Sequence, residues 1–229
     1  MERTLLDEIP LKVDLSQLLG QFRVEKGSNL GEEIRELTEE GCARGRPKAL
    51  YRACLIEARG EDYVVLEGKH FQSRVLAVNV EKVHRVFPFV ATCGQELEAW
   101  SEGLEPGLKK FCADSIKGMA LGAAIAALLD HMQEHHHPGE VSMMNPGSLA
   151  DWPLTEQKTL FQVVGNTEDA IGVELMENFF MRPAMTASGL WFPSQEKYEN
   201  CMLCPMEDCP GRRAPYDKGL YERKYRNIS

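Results

Sequence analysis

The run Met119-Ala-Leu-Gly-Ala-Ala-Ile-Ala-Ala-Leu-Leu129 constrains this chain more than any other stretch. It is the centre of a helical segment, Phe111 to His131, and is apolar nearly all round. Such a helix is buried on most of its faces, and its Ala and Gly positions let neighbouring backbone approach closely. The segment predicts one central core helix against which every other element must be layered. Its most apolar part is too short to cross a bilayer.

The flanking pattern supplies those layers. Asp14 to Leu19 reads as a short helix with Asp14 as its N-cap. Ser28 to Arg44 reads as a longer one, with Leu30, Ile34 and Leu37 at helical spacing, Cys42 near the same face, and Gly45 then Arg46-Pro47 as its stop. The texture then becomes strand-like over Ala49 to Ala58 and Tyr63 to Leu66. Arg59-Gly60-Glu61-Asp62 between them looks like a hairpin turn in which Gly60 takes positive φ. Arg74 to Val80 and His84 to Thr92 are further strand candidates, and Gln95 to Ser101 starts a helix. Beyond Pro138-Gly139, Val141 to Met144 reads as a strand and Asn145-Pro146-Gly147-Ser148 as a turn. Thr155 to Val164 is an amphipathic helix with Thr155 as candidate cap. Gly172 to Leu175 and Ala187 to Phe192 are strands.

Past Pro193 the chain turns polar, with little power to form a core. The expected division is a domain over residues 1–193 and a Cys-rich tail over 194–229 packed on it. The element order predicts an α+β fold, a twisted and mostly antiparallel sheet with flanking helices. There is no βαβ alternation and no Gly-rich dinucleotide fingerprint.

Composition narrows the function. A 43% apolar and 27% charged share is that of a globular chain able to form a core. The net charge of −9 argues against a nucleic-acid partner. The first ten residues lack the apolar core of a signal peptide, so the expected location is the cytoplasm, with no membrane partner. Thiols stay reduced there, and the seven cysteines are metal or redox candidates before they are disulfides.

Chemistry speaks most clearly in Cys201-x2-Cys204-x4-Cys209. A Cys-x2-Cys pair presents two thiolates to one ion, and a third nearby completes one face of a tetrahedron. Zinc and an iron–sulfur cluster both suit this set, with Cys93 as the best candidate for a fourth ligand and Cys42 second. Arg212-Arg213 would offset cluster charge or bind an anionic partner. His131, His135, His136 and His137 read as a polar helix end near the negative dipole pole, and Asp151 and Glu156 as helix-start carboxylates. Trp191 and Phe192 suit either a ligand pocket or the core. No nucleophile–base pattern and no phosphate loop stands out.

Leu160-Phe161, Ile171-Gly-Val-Glu-Leu-Met-Glu177, Met181-x-Pro183 and Ser188-Gly-Leu-Trp-Phe192 together resemble the reactivation domain of cobalamin-dependent methionine synthase. Ala91-Thr-Cys-Gly94 with Glu96-Leu-Glu98, Pro146-Gly147, and Asp151-Trp-Pro-Leu154 match that family in order, over roughly residues 5–195. The resemblance implies a C-shaped α+β domain that binds S-adenosylmethionine and docks on a cobalamin module. There, an electron and a methyl group from S-adenosylmethionine restore methylcobalamin from inactive cobalt(II), and the cofactor supplies the hard chemistry. Asn145, Pro146, Gly147, Trp191 and Phe192 would then lie at the ligand site.

Two departures stand out. Met143 and Ser148 replace a ligand-contacting Arg and Tyr of the family, so a bidentate carboxylate fork is missing. The cysteine tail is an addition. With no cobalamin-binding Asp-x-His-x-x-Gly segment, the corrinoid belongs on a partner, a corrinoid protein or corrinoid methyltransferase. The expected function is reductive reactivation of that partner through a Cys-ligated iron–sulfur or zinc site. The alternatives are zinc-stabilised docking without catalysis, or S-adenosylmethionine-dependent reactivation.

Overall fold

The computed structural model describes residues 3–226. Strand β1 (Arg3–Leu6) precedes two helices, α1 (Leu15–Phe22) and α2 (Asn29–Arg44). The first starts at the cap expected, Asp14, and the second is capped by Ser28. The Asp14 carboxylate accepts the backbone N–H of Ser16 and of Gln17, and the Ser28 hydroxyl accepts that of Gly31. These bonds satisfy donors that a first helical turn leaves unpaired. There follow β2 (Lys48–Arg52), β3 (Cys54–Leu55), β4 (Ala58–Arg59), β5 (Tyr63–Leu66) and β6 (Lys69–Gln72), then α3 (Arg74–Asn79), β7 (Arg85–Thr92), α4 (Gln95–Glu102) and α5 (Leu108–His136). Next come β8 (Val141–Met144), a 3-10 turn (Leu154–Glu156) that runs into α6 (Gln157–Val164), α7 (Thr167–Ile171), β9 (Glu174–Leu175), β10 (Met181–Arg182) and β11 (Thr186–Pro193).

The central sheet has the order β1-β2-β7-β11-β8, and its neighbours pair antiparallel. β3 also pairs with β7; β4-β5-β6 and β9-β10 form two small sheets. This is the α+β architecture expected.

Helix α5 lies on one face of the sheet. Ala124, Leu128 and Met132 pack with Ala49, Tyr51, Phe87, Phe89 and Ala91 of β2 and β7. Cys112, Ile116 and Ala120 pack with Ile34 of α2 and Leu97 and Trp100 of α4. These buried positions recur every four residues, so they form one stripe. That corrects the expectation of burial on most faces. Gly118 and Gly122 look outward into open space, and only Ala120 and Ala124 let the sheet come close. By length and composition α5 would suffice to cross a membrane, a point the sequence reading missed by taking only its most apolar part.

The opposite face carries α3, α6, α7 and the tail. Tyr198 and Tyr225 are fully buried there beside Leu50, Phe71 and Trp152. The Tyr225 hydroxyl donates to Asn79 Oδ1 at 2.9 Å, and Arg74 Nε donates to the Tyr225 carbonyl at 3.0 Å. The segment past Pro193 thus has more core-forming power than its composition suggested.

Three local expectations fail. Arg74 to Val80 is a helix, because Ser73 and Asp151 accept the backbone N–H groups of Leu76, Arg74 and Val75. The run Ala49 to Ala58 breaks into β2 and β3, which both pair with β7, and β4, which joins a separate sheet with β5. Gly60 is not in the positive-φ region; it is small because Tyr63 lies over it, with a ring carbon 2.2 Å from where a Cβ would stand.

Candidate functional site

The site is built where β8 ends. The turn Asn145–Ser148 closes through the Ser148 N–H to the Asn145 carbonyl at 3.2 Å. Asn145 Nδ2 crosses to the neighbouring strand and donates to the Ser188 carbonyl at 2.6 Å. It can do so because residue 189 is glycine: a Cβ there would stand 2.6 Å from Asn145 Nδ2. Gly147 has φ of +83°, and a Cβ would lie 2.9 Å from Leu154 Cδ1, so only glycine lets this turn fold under Leu154. Asn145 Oδ1 accepts from Asn200 Nδ2 of the tail at 3.3 Å.

A second wall comes from the β9–β10 hairpin. Its turn is closed by the Met176 N–H to the Phe180 carbonyl and the Phe179 N–H to the Met176 carbonyl, each at 2.9 Å. Phe179 takes φ of +65°, a left-handed conformation rare for a bulky side chain. Phe180 is 62% exposed. Between hairpin, turn and β11 lies a pocket of about 490 Å³, whose lining includes Asn145, Pro146, Gln157, Phe179, Phe180 and Ser188. That volume falls within the ~300–1,000 Å³ of small-molecule sites.

Gln157 is the telling residue. It stands at the start of α6, is 3% exposed, and its Oε1 has no hydrogen-bond partner. Its Nε2 has only the Met181 sulfur, at 3.3 Å, a weak acceptor. A buried amide oxygen left unpaired costs about 1–3 kcal/mol. A ligand N–H or O–H entering the pocket would recover that.

The far rim is tied to the core by charge. The Ala184 N–H donates to Glu98 Oε1 at 3.4 Å. Glu98 Oε2 accepts from Lys117 Nζ at 3.1 Å, and that ammonium also reaches Asp114 at 2.9 Å and Ser101 Oγ at 3.0 Å. Burial alone would lower the Lys117 pKa, but its bonds to Asp114 and Glu98 hold it above the ordinary lysine value.

Of the ligand-site residues expected, Asn145 and Pro146 line the pocket and Gly147 shapes its turn. Trp191 and Phe192 do not line it. Successive strand residues face opposite ways. Phe192 therefore sinks into the tail-side core, while Trp191 tilts against Phe89 with ring centroids 5.9 Å apart under α5. Met143 pairs with Trp191 in the β8–β11 register and belongs to that same α5-side cluster.

The cysteines divide as well. Cys93 is fully buried among Leu97, Trp100 and Cys112, and burial pushes its thiol up to about 12. The tail runs parallel to β8 at Met143–Glu199, so β11 and β8 separate Cys93 from it. Three inter-strand spacings make that roughly 14 Å, against a zinc–sulfur bond of about 2.3 Å. Cys93 therefore does not complete the set of Cys201, Cys204 and Cys209. Among the described residues no group of three His, Cys, Asp or Glu side chains stands close enough to hold a metal ion. The tail loop is centred on Arg212, whose guanidinium donates to the carbonyls of Cys201 (3.0 Å), Cys204 (3.0 Å), Ala214 (2.9 Å) and Met206, while its Nε donates to Glu207.

The fold matches a known one. The chain superposes on the crystal structure of the MetH reactivation domain bound to AdoHcy with a TM-score of 0.60, covering 87% of this chain and 81% of that one at 13% identity. The fold is that of the MetH reactivation domain. No family model and no curated protein sequence matches the chain.

Within this fold the remaining titratable groups have structural work. Asp151 caps α3, not the helix that follows it in sequence. Glu156 accepts the Gln72 N–H, and burial raises its carboxyl above the usual value. The histidines end α5 as expected, with added order. The Tyr51 hydroxyl lies 2.9 Å from His131 Nδ1 and 3.1 Å from His136 Nε2. Its single proton serves one ring, and the other ring supplies an N–H. Burial first, then neighbouring positive charge, lowers both imidazole pKa values.

Sequence reasoning missed Gln157 and the Phe179–Phe180 turn. A signal for the first existed. Gln157, Leu160, Phe161 and Val164 fall at i, i+3, i+4 and i+7, so a polar residue occupies the apolar face of a helix.

Proposed function

We propose that this chain binds an S-adenosyl ligand in the pocket under the β9–β10 hairpin and serves in the reactivation of a cobalamin-dependent methyltransferase. Its corrinoid partner is a separate protein or methyltransferase. The observation that carries the reading is Gln157, a buried residue whose amide oxygen has no partner, in the wall of a pocket bounded by the Asn145–Gly147 turn. The sequence resemblance assigns its ligand to that turn, and the domain of like fold was crystallised with AdoHcy. Asn145 and Gln157 supply polar groups, and Phe179 and Phe180 supply aromatic faces for a flat ring. Recognition here differs from the parent family, since the position of its Arg fork holds Met143. The methyl donor is held by this chain, the cobalt by the partner, and the electron comes from a reductase.

The test is a reconstitution. A corrinoid methyltransferase in its cobalt(II) state is mixed with a low-potential reductant, S-adenosylmethionine and this chain, and the visible spectrum is followed. Conversion to the methylcobalamin form should depend on the chain and on S-adenosylmethionine. A rate unchanged by adding the chain would refute the proposal.

A further inference from the structure

The tail loop has the geometry of a second chemical site, independent of the pocket. The Cys204 N–H donates to the Cys201 carbonyl at 3.3 Å, so the two cysteines are the first and last residues of one turn. A turn keeps its end Cα atoms within about 7 Å, and a disulfide needs roughly 4.4–6.8 Å. Both side chains are part-exposed, whereas Cys54, Cys93 and Cys112 are fully buried.

The surroundings distinguish the two thiols. Cys201 Sγ accepts the Arg213 backbone N–H at 3.4 Å. That bond, opposed by burial and aided by the Ala214 N–H and the Arg213 and Arg212 charges, lowers its pKa. Arg212 ties the carbonyls of both cysteines to one guanidinium and so holds the turn closed. In Cys54 burial instead pushes the thiol up to about 12. A part-exposed sulfur that accepts a backbone N–H beside two guanidinium groups and next to a second thiol is the arrangement that makes a cysteine reactive.

We propose that Cys201 and Cys204 form a redox-active dithiol, with Cys201 the attacking thiolate and Cys204 the resolving thiol, and that the substrate class is a disulfide. The Cys201 thiolate attacks one sulfur of RS–SR. A Cys201–S–S–R bond forms, the S–S bond of the reagent breaks, and RS⁻ leaves and takes up a proton. Cys204 then loses its proton and attacks the Cys201 sulfur. This forms the Cys201–Cys204 disulfide and releases the second RS⁻. Two electrons pass from the chain to the reagent, and a dithiol reductant returns them.

The probe is Ellman's disulfide, applied to the reduced full-length chain, with product mass and metal content determined. With one equivalent of reagent, the wild type should release two thionitrobenzoates in a fast phase, keep no label on Cys201 or Cys204 in peptide mass mapping, and hold those two cysteines two hydrogens lighter as a disulfide. Cys204→Ser should release one in that phase and keep the label as a mixed disulfide. Cys201→Ser should lose the fast phase, its rate falling about tenfold or more, while Cys209→Ser keeps it. Circular dichroism checks that each variant folds. Label retained on Cys201 or Cys204 of the wild type, a fast phase surviving in Cys201→Ser, or stoichiometric zinc or iron released only by blocking these thiols would overturn the proposal. None of these results depends on whether the pocket binds an S-adenosyl ligand.

Discussion

The pocket and the cysteine loop adjoin through the Asn200–Asn145 contact, yet they are built in opposite ways. The pocket is a gap in rigid structure. Two strands, a helix start and a hairpin fix its walls, and one wall residue, Gln157, carries a buried oxygen the fold itself leaves unsatisfied. The loop touches the core only through Met202 and Leu203 at its start. One guanidinium gathers its carbonyls, and its sulfurs sit at the surface. The first design stores a cost that a ligand relieves. The second keeps reactive groups in place at low structural cost, since charged hydrogen bonds to carbonyls replace a core. A binding site and a reactive site can therefore share one edge of a sheet without sharing residues.

The largest expected effect tests how far the pocket depends on the core. Lys117→Met would leave Glu98 half-buried without its cation and loosen the rim at Ala184. We expect a loss of about 3 kcal/mol in urea unfolding, with weaker ligand binding and an unchanged fast thiol phase. Equal loss at both sites would erase the distinction. Arg212→Ala should act the other way. Local opening of the loop becomes easier by about 2 kcal/mol, seen as faster proteolysis within residues 200–215, while ligand affinity at the pocket holds.

Gln157→Leu comes next. It removes the orphan oxygen, so the ligand-free protein should be equally stable or slightly more so, while affinity for the ligand falls about tenfold, or ~1.4 kcal/mol. Matched losses of stability and affinity would mean that Gln157 is merely structural.

The smallest effect lies away from both sites, at Tyr51, His131 and His136. The folded state lowers both imidazole pKa values, so the unfolded chain binds more protons. Their contribution is complete above the unfolded value of about 6.5 and is lost as pH falls through the depressed folded values. Melting temperature should drop modestly between about pH 7.5 and about pH 5, by less than ~1 kcal/mol in stability. The double variant His131→Gln, His136→Gln should flatten that slope.

The parts of the fold legible in the sequence were those with local causes. Asp14 and Ser28 announce their helices, Val141 to Met144 is a strand as read, and the Asn145–Ser148 turn carries its own proline and glycine. What was hidden depended on distant partners. Helix α3 is fixed by Asp151, remote in sequence from the residues it caps, and the local pattern of Arg74 to Val80 suits a strand equally well. Trp191 and Phe192 match a family pair by position, but strand alternation sends them to opposite faces. Gln157 was visible as a polar residue on an apolar face; that it faces a void was not. The thiol spacing was read as a metal motif on a tight turn; the turn is there, and what the spacing did not show is that Arg212 gathers its carbonyls.

The most direct measurement is calorimetric titration of the full chain with S-adenosylhomocysteine and with S-adenosylmethionine, repeated on Gln157→Leu. Saturable binding at one site, weakened about tenfold in the variant, is the predicted result. No heat with either ligand at millimolar concentration, or binding that Gln157→Leu leaves unchanged, would contradict the assignment of this pocket.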